Sequence, residues 1–383
     1  MNWPLNVDNF SLLDRLKICS FILNRDNKWT QASKVKKFEL NMAKFVGAKY
    51  AVFCSSGSTA NSMLAMRLRD TTKNNEKRIV VFPSTTWITS VAPFIREGFQ
   101  PHFIDVNLDD FCFNYEKLNE FVEQNRDSIA CVFPTSLLGF VPDISKLSDI
   151  CLKNEVKLMF DNCENTLGSY KGFNICGYET CTTSTYFGHH LQSVEGGFVF
   201  TNSKEEYDYF LMLRNHGMTR SVDNPSEYAN PDVDSRFDFY CLGSNFRGSD
   251  INAFIGNLDL DKAHSHIFNR QRLYEVYQKN LDSKKFHLPS NFKERNHVPF
   301  CLPVIFKDAS RKQMALNYCA LERIETRPII SGNLLRQTCL KIYDDYKLFK
   351  NSEFLHNNGF YIGLHTKLKD SDINKLISYL NTL

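Results

Sequence analysis

Residues Thr183 to Asn202 read TSTYFGHHLQSVEGGFVFTN, a turn bearing two histidines and, six residues after His189, the step Glu195-Gly196-Gly197. An imidazole moves protons near neutral pH, so His189 and His190 are candidates for acid–base work. What the stretch lacks is equally informative. No lysine occurs between Lys171 and Lys204, and histidine cannot form a stable imine with an aldehyde. A lone histidine is more often a packed core residue, which is the reading for His190. His189 stands apart only because three other segments arrive in a compatible order.

The first is Cys54-Ser55-Ser56-Gly57-Ser58-Thr59-Ala60-Asn61, which follows an apolar run and opens a helical pattern. Amides at a helix start, with a glycine permitting close approach, suit a phosphate, although a simple capped helix reads the same way. The second, FPSTTWITS, puts Trp87 just past a strand end, where its ring could cover a flat ligand or sit in a core. The third, LMFDNCEN, ends an apolar strand on Asp161. A carboxylate there could hold a heterocyclic nitrogen protonated, or simply fill a turn. Ser184, five residues before His189, could return a hydroxyl to the phosphate. Together the segments describe a cradle for a flat, phosphorylated, nitrogen-containing ring with a proton-transfer group beside it.

Such groups need a rigid frame, and the chain supplies one. Strands are expected at Tyr50–Cys54, Ile79–Phe82, Pro101–Val106, Ala130–Phe133, Val156–Asp161, Thr183–Phe187 and Gly197–Thr201. Several are near-continuous apolar runs, as in a parallel sheet covered on both faces. Helical periodicity fits Ser58–Arg69, Trp87–Arg96, Tyr115–Glu123, Ile144–Lys153 and Glu205–Asn215. The alternation predicts a doubly wound α/β domain. A long helical pattern from Ile251 to Leu281 then leads into VPFCLPVIF, RKQMALNYCALERI, ETRPII and a last helix, DINKLISYLNTL, which suggest a small α+β domain. The expected division is residues 1–250 and 251–383.

Composition removes several classes. A formal net charge of +3 is too small and dispersed for a nucleic-acid binder. No apolar run reaches the length of a membrane span, and MNWPLNVDNF lacks a charged-then-apolar signal pattern, so a cytoplasmic protein is expected. The 12 cysteines include no C-x-x-C pair, the nearest two being Cys176 and Cys181. Free, mostly buried thiols in a reducing compartment are expected, and no metal site.

The order of motifs resembles the fold-type-I nucleotide-sugar aminotransferase family, and within it a lysine-lacking branch of sugar 3-dehydratases. The stretches KYAVFCSSGSTAN, PSTTWITS, FDNCEN, YFGHHLQSVEGGFVFTN, LRNHGMTR, GSNFRGSDINAFIGNL, TRPIISGNLLRQ and NGFYIGLH carry the resemblance across almost the whole chain. It implies a large domain built on a mostly parallel, seven-stranded sheet and a small C-terminal α+β domain. The implied cofactor is pyridoxal 5'-phosphate (PLP) alternating with pyridoxamine 5'-phosphate (PMP), held without a covalent lysine link. Gly57, Ser58 and Ser184 would hold its phosphate, Trp87 would stack on its ring, Asp161 would pair with the ring nitrogen, and Glu164 would lie near the phenolic oxygen. His189 would be the catalytic base, titrating at about 6.5 if unperturbed. His216 and Arg327 would line the sugar or glutamate site. Asn245 would reach the phosphate in a neighbouring subunit, which implies a homodimer.

The implied activity is C3 dehydration of a nucleotide-linked 4-keto-6-deoxy sugar, with L-glutamate regenerating PMP, in deoxysugar synthesis for a surface polysaccharide. Two departures accompany it. Ala32 stands where the family commonly has a glycine, which bears on a contact to the nucleotide. The stretch SVDNPSEYANPDVDSRFDFYC holds only Cys241 where a related branch has closely spaced cysteines for an iron–sulfur cluster, so no iron–sulfur reductase partner is expected. An ordinary sugar aminotransferase would need the missing lysine. A non-catalytic PLP-binding regulator would not, but a decayed site should have lost some of Trp87, Asp161, Glu164, Ser184 and Asn245.

Overall fold

Along Tyr50–Cys54, Ala51 and Phe53 enter one hydrophobic core while Val52 and Cys54 enter another. Val81 separates from Val80 and Phe82 in the same way, and Val199 from Phe198 and Phe200. Strand side chains alternate in direction, so a strand covered on both faces carries apolar residues at every position. This is why the sequence shows unbroken apolar runs. The computed structural model describes residues 2–72 and 77–383.

The strands line up in the order Gln100–Ile104, Ile79–Pro83, Ile129–Val132, a split strand (Lys157–Leu158 and Phe160–Asp161), Cys181–Ser184, Gly197–Thr201 and Tyr50–Cys54. A parallel bridge between Thr135 and Asp161 accompanies the join between the two halves. The result is a sheet of seven strands in which only Gly197–Thr201 runs against the rest. Helices Ser33–Val46, Tyr115–Asn125, Ile144–Lys153 and Asp250–Leu260 cover one face, and Gly57–Thr71, Ile88–Arg96 and Lys204–Arg214 the other. The free edge of Tyr50–Cys54 is closed by a buried ion pair. Glu39 Oε1 accepts from the Phe53 amide at 2.9 Å, and Arg214 donates to the Phe53 carbonyl at 2.7 Å. The Phe53 edge groups are thus satisfied by side chains, while Phe246 and Arg247 bridge the end of the strand at Cys54.

A second, antiparallel sheet orders Phe286–His287, Cys301–Phe306, Gly359–Gly363 and Thr326–Pro328. Its core takes Leu273, Tyr274 and Tyr277 from helix Ala263–Asn280, together with Ile373, Leu376 and Leu380 from helix Asp370–Leu380. Trp3, from the far end of the chain, joins the same core and bonds Gly363 O through its indole N–H at 2.8 Å.

Local differences from the sequence expectation have physical causes. The continuous helix expected over 251–281 is two helices, broken at Asp261 and Lys262, where Lys262 Nζ turns to bond Asp14 at 2.6 Å. The expected division at 250/251 falls at the start of helix Asp250–Leu260, whose Ala253 and Leu260 belong to the first core. The strand expected over Thr183–Phe187 is Cys181–Ser184, because the chain leaves the ladder at Thr185 to form the histidine turn. Eight of the cysteines are buried, all are free, and no cluster of three or more metal-ligating side chains occurs among the described residues. No helix among them is long and apolar enough to cross a membrane.

Candidate active site

Cys54, Asp161 and Ser184 end parallel strands at one end of the sheet, and the antiparallel strand begins there with Gly197. Loops leaving the carboxyl ends of parallel strands form the natural crevice of such a sheet. Here they enclose a cavity of about 430 Å³ lined by Gly57, Ser58, Trp87, Asp161, Glu164, Ser184, His189 and Arg327, with Ser90, Tyr186, Phe300 and Tyr361 among its other walls. Eight residues singled out from the sequence therefore meet in one place. No lysine lines this cavity among the described residues.

The phosphate end is made by geometry that only glycine tolerates. Ser56 caps helix Gly57–Thr71 by accepting from the Thr59 amide, while Thr59 accepts from the Ser56 amide. That leaves the first-turn amides of Gly57 and Ser58 without an intrahelical acceptor. A Cβ on Gly57 would lie 2.7 Å from Cys163 Sγ and 2.8 Å from Ser184 Cβ. One on Gly197 would lie 2.4 Å from the Ser56 carbonyl. The strand carrying Gly197 can therefore pass directly behind the amides, and Ser184 stands against the helix start. This is a concave anion cradle with free N–H donors.

Trp87 is 52% exposed, which rejects the core-tryptophan reading: a large ring is held open at the cavity mouth. Asp161 is buried and accepts from Asn61 Nδ2 at 2.8 Å, Ser90 Oγ at 2.6 Å and the Cys163 amide at 3.0 Å. Glu164 accepts from the Leu138 amide at 2.8 Å, and removal from water lifts its carboxyl to about 8. It is therefore a proton donor at neutral pH.

The two histidines separate cleanly. His190 is pinned, its Nδ1 accepting from the Leu167 amide at 3.4 Å and its Nε2 donating to Val298 O at 2.5 Å. Among the described residues His189 makes no side-chain hydrogen bond, and its Nδ1 is buried without a partner. Its ring stands edge-on between Tyr186 and Phe300, at 5.8 and 5.9 Å. Burial lowers its pKa to about 4, against the opposing pull of Asp161. The unperturbed value near 6.5 is thus corrected downward, and the imidazole is neutral at pH 7. The turn is held from behind, where Asp259 accepts from the Gln192 amide at 2.8 Å and Asn252 donates to Ser193 O and Glu195 O at 2.7 and 2.8 Å.

His216 and Asn245 are not brought to this cavity. They sit beside one another, Asn215 pairing with Asn245 in an antiparallel bridge and the His216 amide donating to Ser244 O at 2.9 Å. Asn245 is exposed, and among the described residues its side chain bonds only Arg247 of the same loop, at 2.9 Å. Within one chain His216 therefore does not line the site expected of it. Residues missed by sequence reasoning include Asn61, Ser90, Tyr186, Phe300 and Tyr361. All five lie within stretches already quoted, but no spacing set them apart from their neighbours there.

The chain resembles known proteins over its whole length. It is 30% identical to GDP-4-keto-6-deoxy-D-mannose 3-dehydratase of Escherichia coli O55:H7 (strain CB9615 / EPEC) over 95% of this chain and 96% of that one. A solved structure of the E. coli GDP-4-keto-6-deoxy-D-mannose 3-dehydratase with bound hydrated PLP superposes with a TM-score of 0.91 at 27% identity, covering 99% of both chains. A GDP-4-keto-6-deoxymannose 3-dehydratase structure with a trapped PLP-glutamate geminal diamine gives 0.90 at 27% identity, covering 99% and 100%. The sequence profile of the DegT/DnrJ/EryC1/StrS aminotransferases matches residues 19–381, and the chain belongs to that family.

Proposed function

We propose that this protein is a PLP/PMP-dependent sugar 3-dehydratase that removes the C3 hydroxyl of a nucleotide-linked 4-keto-6-deoxy sugar, with L-glutamate as the amino donor. The observation that carries the reading is His189. It is a neutral, unpartnered imidazole in a cavity that otherwise fits the cofactor and has no lysine among its lining residues.

When bound, the aminated cofactor supplies an amine for the C4 ketone, an electron sink, and the electron pair that replaces the C3–O bond by C–H; glutamate restores that pair and the amino group. The chain's residues do the rest. The Gly57 and Ser58 amides and the Ser184 hydroxyl would bind the phosphate, and the Asp161 carboxylate would accept a hydrogen bond from the protonated ring nitrogen. Trp87 covers the ring face, and Glu164, protonated, donates to the phenolic oxygen. His189 takes a proton from the aminomethyl carbon and returns it to the departing C3 hydroxyl, one imidazole acting as base and then acid. Arg327, the cationic side chain on the small-domain wall of the cavity, holds a carboxylate of glutamate or an oxygen of the sugar. Asn245 and His216 serve the site of a second copy in a homodimer. The dideoxy product feeds a surface polysaccharide, and the enzyme works in the cytoplasm.

Mass spectrometry after incubation with PMP, L-glutamate and a panel of 4-keto-6-deoxy nucleotide sugars, a GDP-linked one first, tests the reading. A 3-deoxy ketosugar together with free ammonia supports it. An amino sugar with oxygen retained at C3 makes the protein an aminotransferase instead. Absence of turnover with every sugar, in protein shown to bind PMP, would favour a regulatory PLP-binding protein.

A further inference from the structure

Asp161 is held by more donors than a strand-end carboxylate requires. Two of them reach its Oδ2, Asn61 Nδ2 at 2.8 Å and Ser90 Oγ at 2.6 Å. Neither is loosely placed. The Asn61 amide is oriented at both ends, because Nδ2 also donates to Thr89 O at 3.1 Å and Oδ1 accepts from Thr182 Oγ1 at 2.6 Å. Ser90 has a single proton, and giving it to a carboxylate makes its oxygen the acceptor for Thr86 Oγ1 at 3.1 Å. Thr86 has then spent its own proton and accepts that of Thr135 at 2.7 Å. The direction of the whole run, Thr135 to Thr86 to Ser90 to Asp161, is set by the acceptor at its end.

All of these side chains are at most 3% exposed. A hydroxyl chain this deep could serve merely to tie neighbouring strand ends together. The backbone already does that, through the bridge between Thr135 and Asp161 and the Ser136 amide on Asp161 O at 3.0 Å. The side chains instead converge on one carboxylate that borders the cavity. With its neighbours all donating, that carboxylate can pair only with a ligand group that brings a proton of its own.

We propose that Ser90 and Asn61 are positioning residues that fix the Asp161 carboxylate as an acceptor and thereby keep the cofactor's ring nitrogen protonated, with Thr86 and Thr135 orienting Ser90. The inference rests on the reading of Asp161 as the partner of that nitrogen. It explains why a serine stands early in helix Ile88–Arg96, facing inward, and why an asparagine rather than an apolar residue faces the sheet from Gly57–Thr71.

The test uses the enzyme saturated with PMP carrying nitrogen-15 in the ring, read by NMR, beside PMP affinity measured by fluorescence titration. In the unaltered enzyme the nitrogen should resonate as the protonated form. Ser90→Ala and Asn61→Ala should move the resonance toward the unprotonated position and weaken PMP binding about tenfold, the scale of one charge-assisted hydrogen bond. Thr86→Val, one bond further away, should move it less, and Ser90→Thr, which keeps the hydroxyl, should restore the original signal. A merely structural role would change stability and leave the resonance in place. A folded, PMP-saturated Ser90→Ala enzyme with an unshifted resonance overturns the inference while leaving the proposed function standing. An unprotonated nitrogen in the unaltered enzyme removes the Asp161 pairing itself, and the inference with it.

Discussion

The cofactor cavity and the strap from His216 to Asn245 were both marked in the sequence, yet they are built to opposite plans. In the cavity, side chains from nine stretches of chain converge and most polar groups are satisfied internally, with His189 the conspicuous exception. The strap is tied by short-range backbone and side-chain bonds, and towards its second half it turns large side chains outward, with Phe237, Phe239, Tyr240 and Leu242 each more than half exposed. The cavity gathers its own lining groups within one chain. The strap instead displays polar and large apolar side chains together, the composition found where a surface meets a partner.

The largest effect should fall inside the cavity. His189→Asn keeps polarity and removes basicity, so dehydration should drop by about a thousandfold, within the range of general acid–base catalysis, while PMP still binds. His190→Asn breaks the bonds to Leu167 and Val298, which should cost about 1–3 kcal/mol of stability and affect turnover less. Steady-state kinetics and thermal melts on both variants decide the matter. A greater kinetic loss in the His190 variant would place the base one residue later. Borohydride sharpens the same contrast. After treatment with PLP and borohydride the unaltered protein should yield no pyridoxyl-lysine peptide, whereas His189→Lys should yield one at residue 189 and lose 3-deoxygenation.

The pH profile comes next. As the proposed base, His189 must be neutral to accept a proton, so activity should fall as pH drops through its pKa, placing the acid limb at about 4. As the proposed donor to the phenolic oxygen, Glu164 must be protonated, so activity should fall as pH rises through about 8. Phe300 packs on the His189 ring from the small-domain side. Phe300→Ala should admit water and move the acid limb upward, toward the ordinary histidine range near 6.5. An acid limb that stays put in that variant would mean burial is not what lowers the imidazole.

How much of this the sequence revealed depended on the range of the signal. Tyr50–Cys54, Gly197–Thr201 and Ile144–Lys153 matched residue for residue, because apolar runs and helical periodicity are local. Glu164 and Arg327 were marked only through the family resemblance, whereas Gly57, Asp161 and Ser184 were legible because each lies at or close to a strand end. Asn61 and Ser90 were not, since their partner Asp161 is 100 and 71 residues away and an isolated amide or hydroxyl carries no period. The break at Asp261 and Lys262 was hidden for the same reason: it is stabilised by Asp14, 248 residues distant. The downward shift of His189 was equally invisible, because it arises from Phe300 and Tyr186 closing around the ring.

The smallest effect concerns the strap and decides whether it completes a second copy's site. If Asn245 serves only its own loop, where it bonds Arg247, then Asn245→Ala should cost no more than about 1 kcal/mol of stability and leave PMP affinity alone. If it reaches a neighbour's phosphate, the same change should weaken PMP binding several-fold in protein that remains dimeric. Two-fold symmetry then permits a sharper measurement. In a mixed dimer of His189→Asn and Asn245→Ala subunits, one site carries both lesions and the other carries neither. Activity should rise on subunit exchange toward half that of the unaltered enzyme per mixed dimer, although the His189→Asn parent is nearly inactive. Exchange demonstrated by differential labelling without that rise would confine Asn245 to its own subunit, and the strap's exposed aromatic residues would then need another explanation.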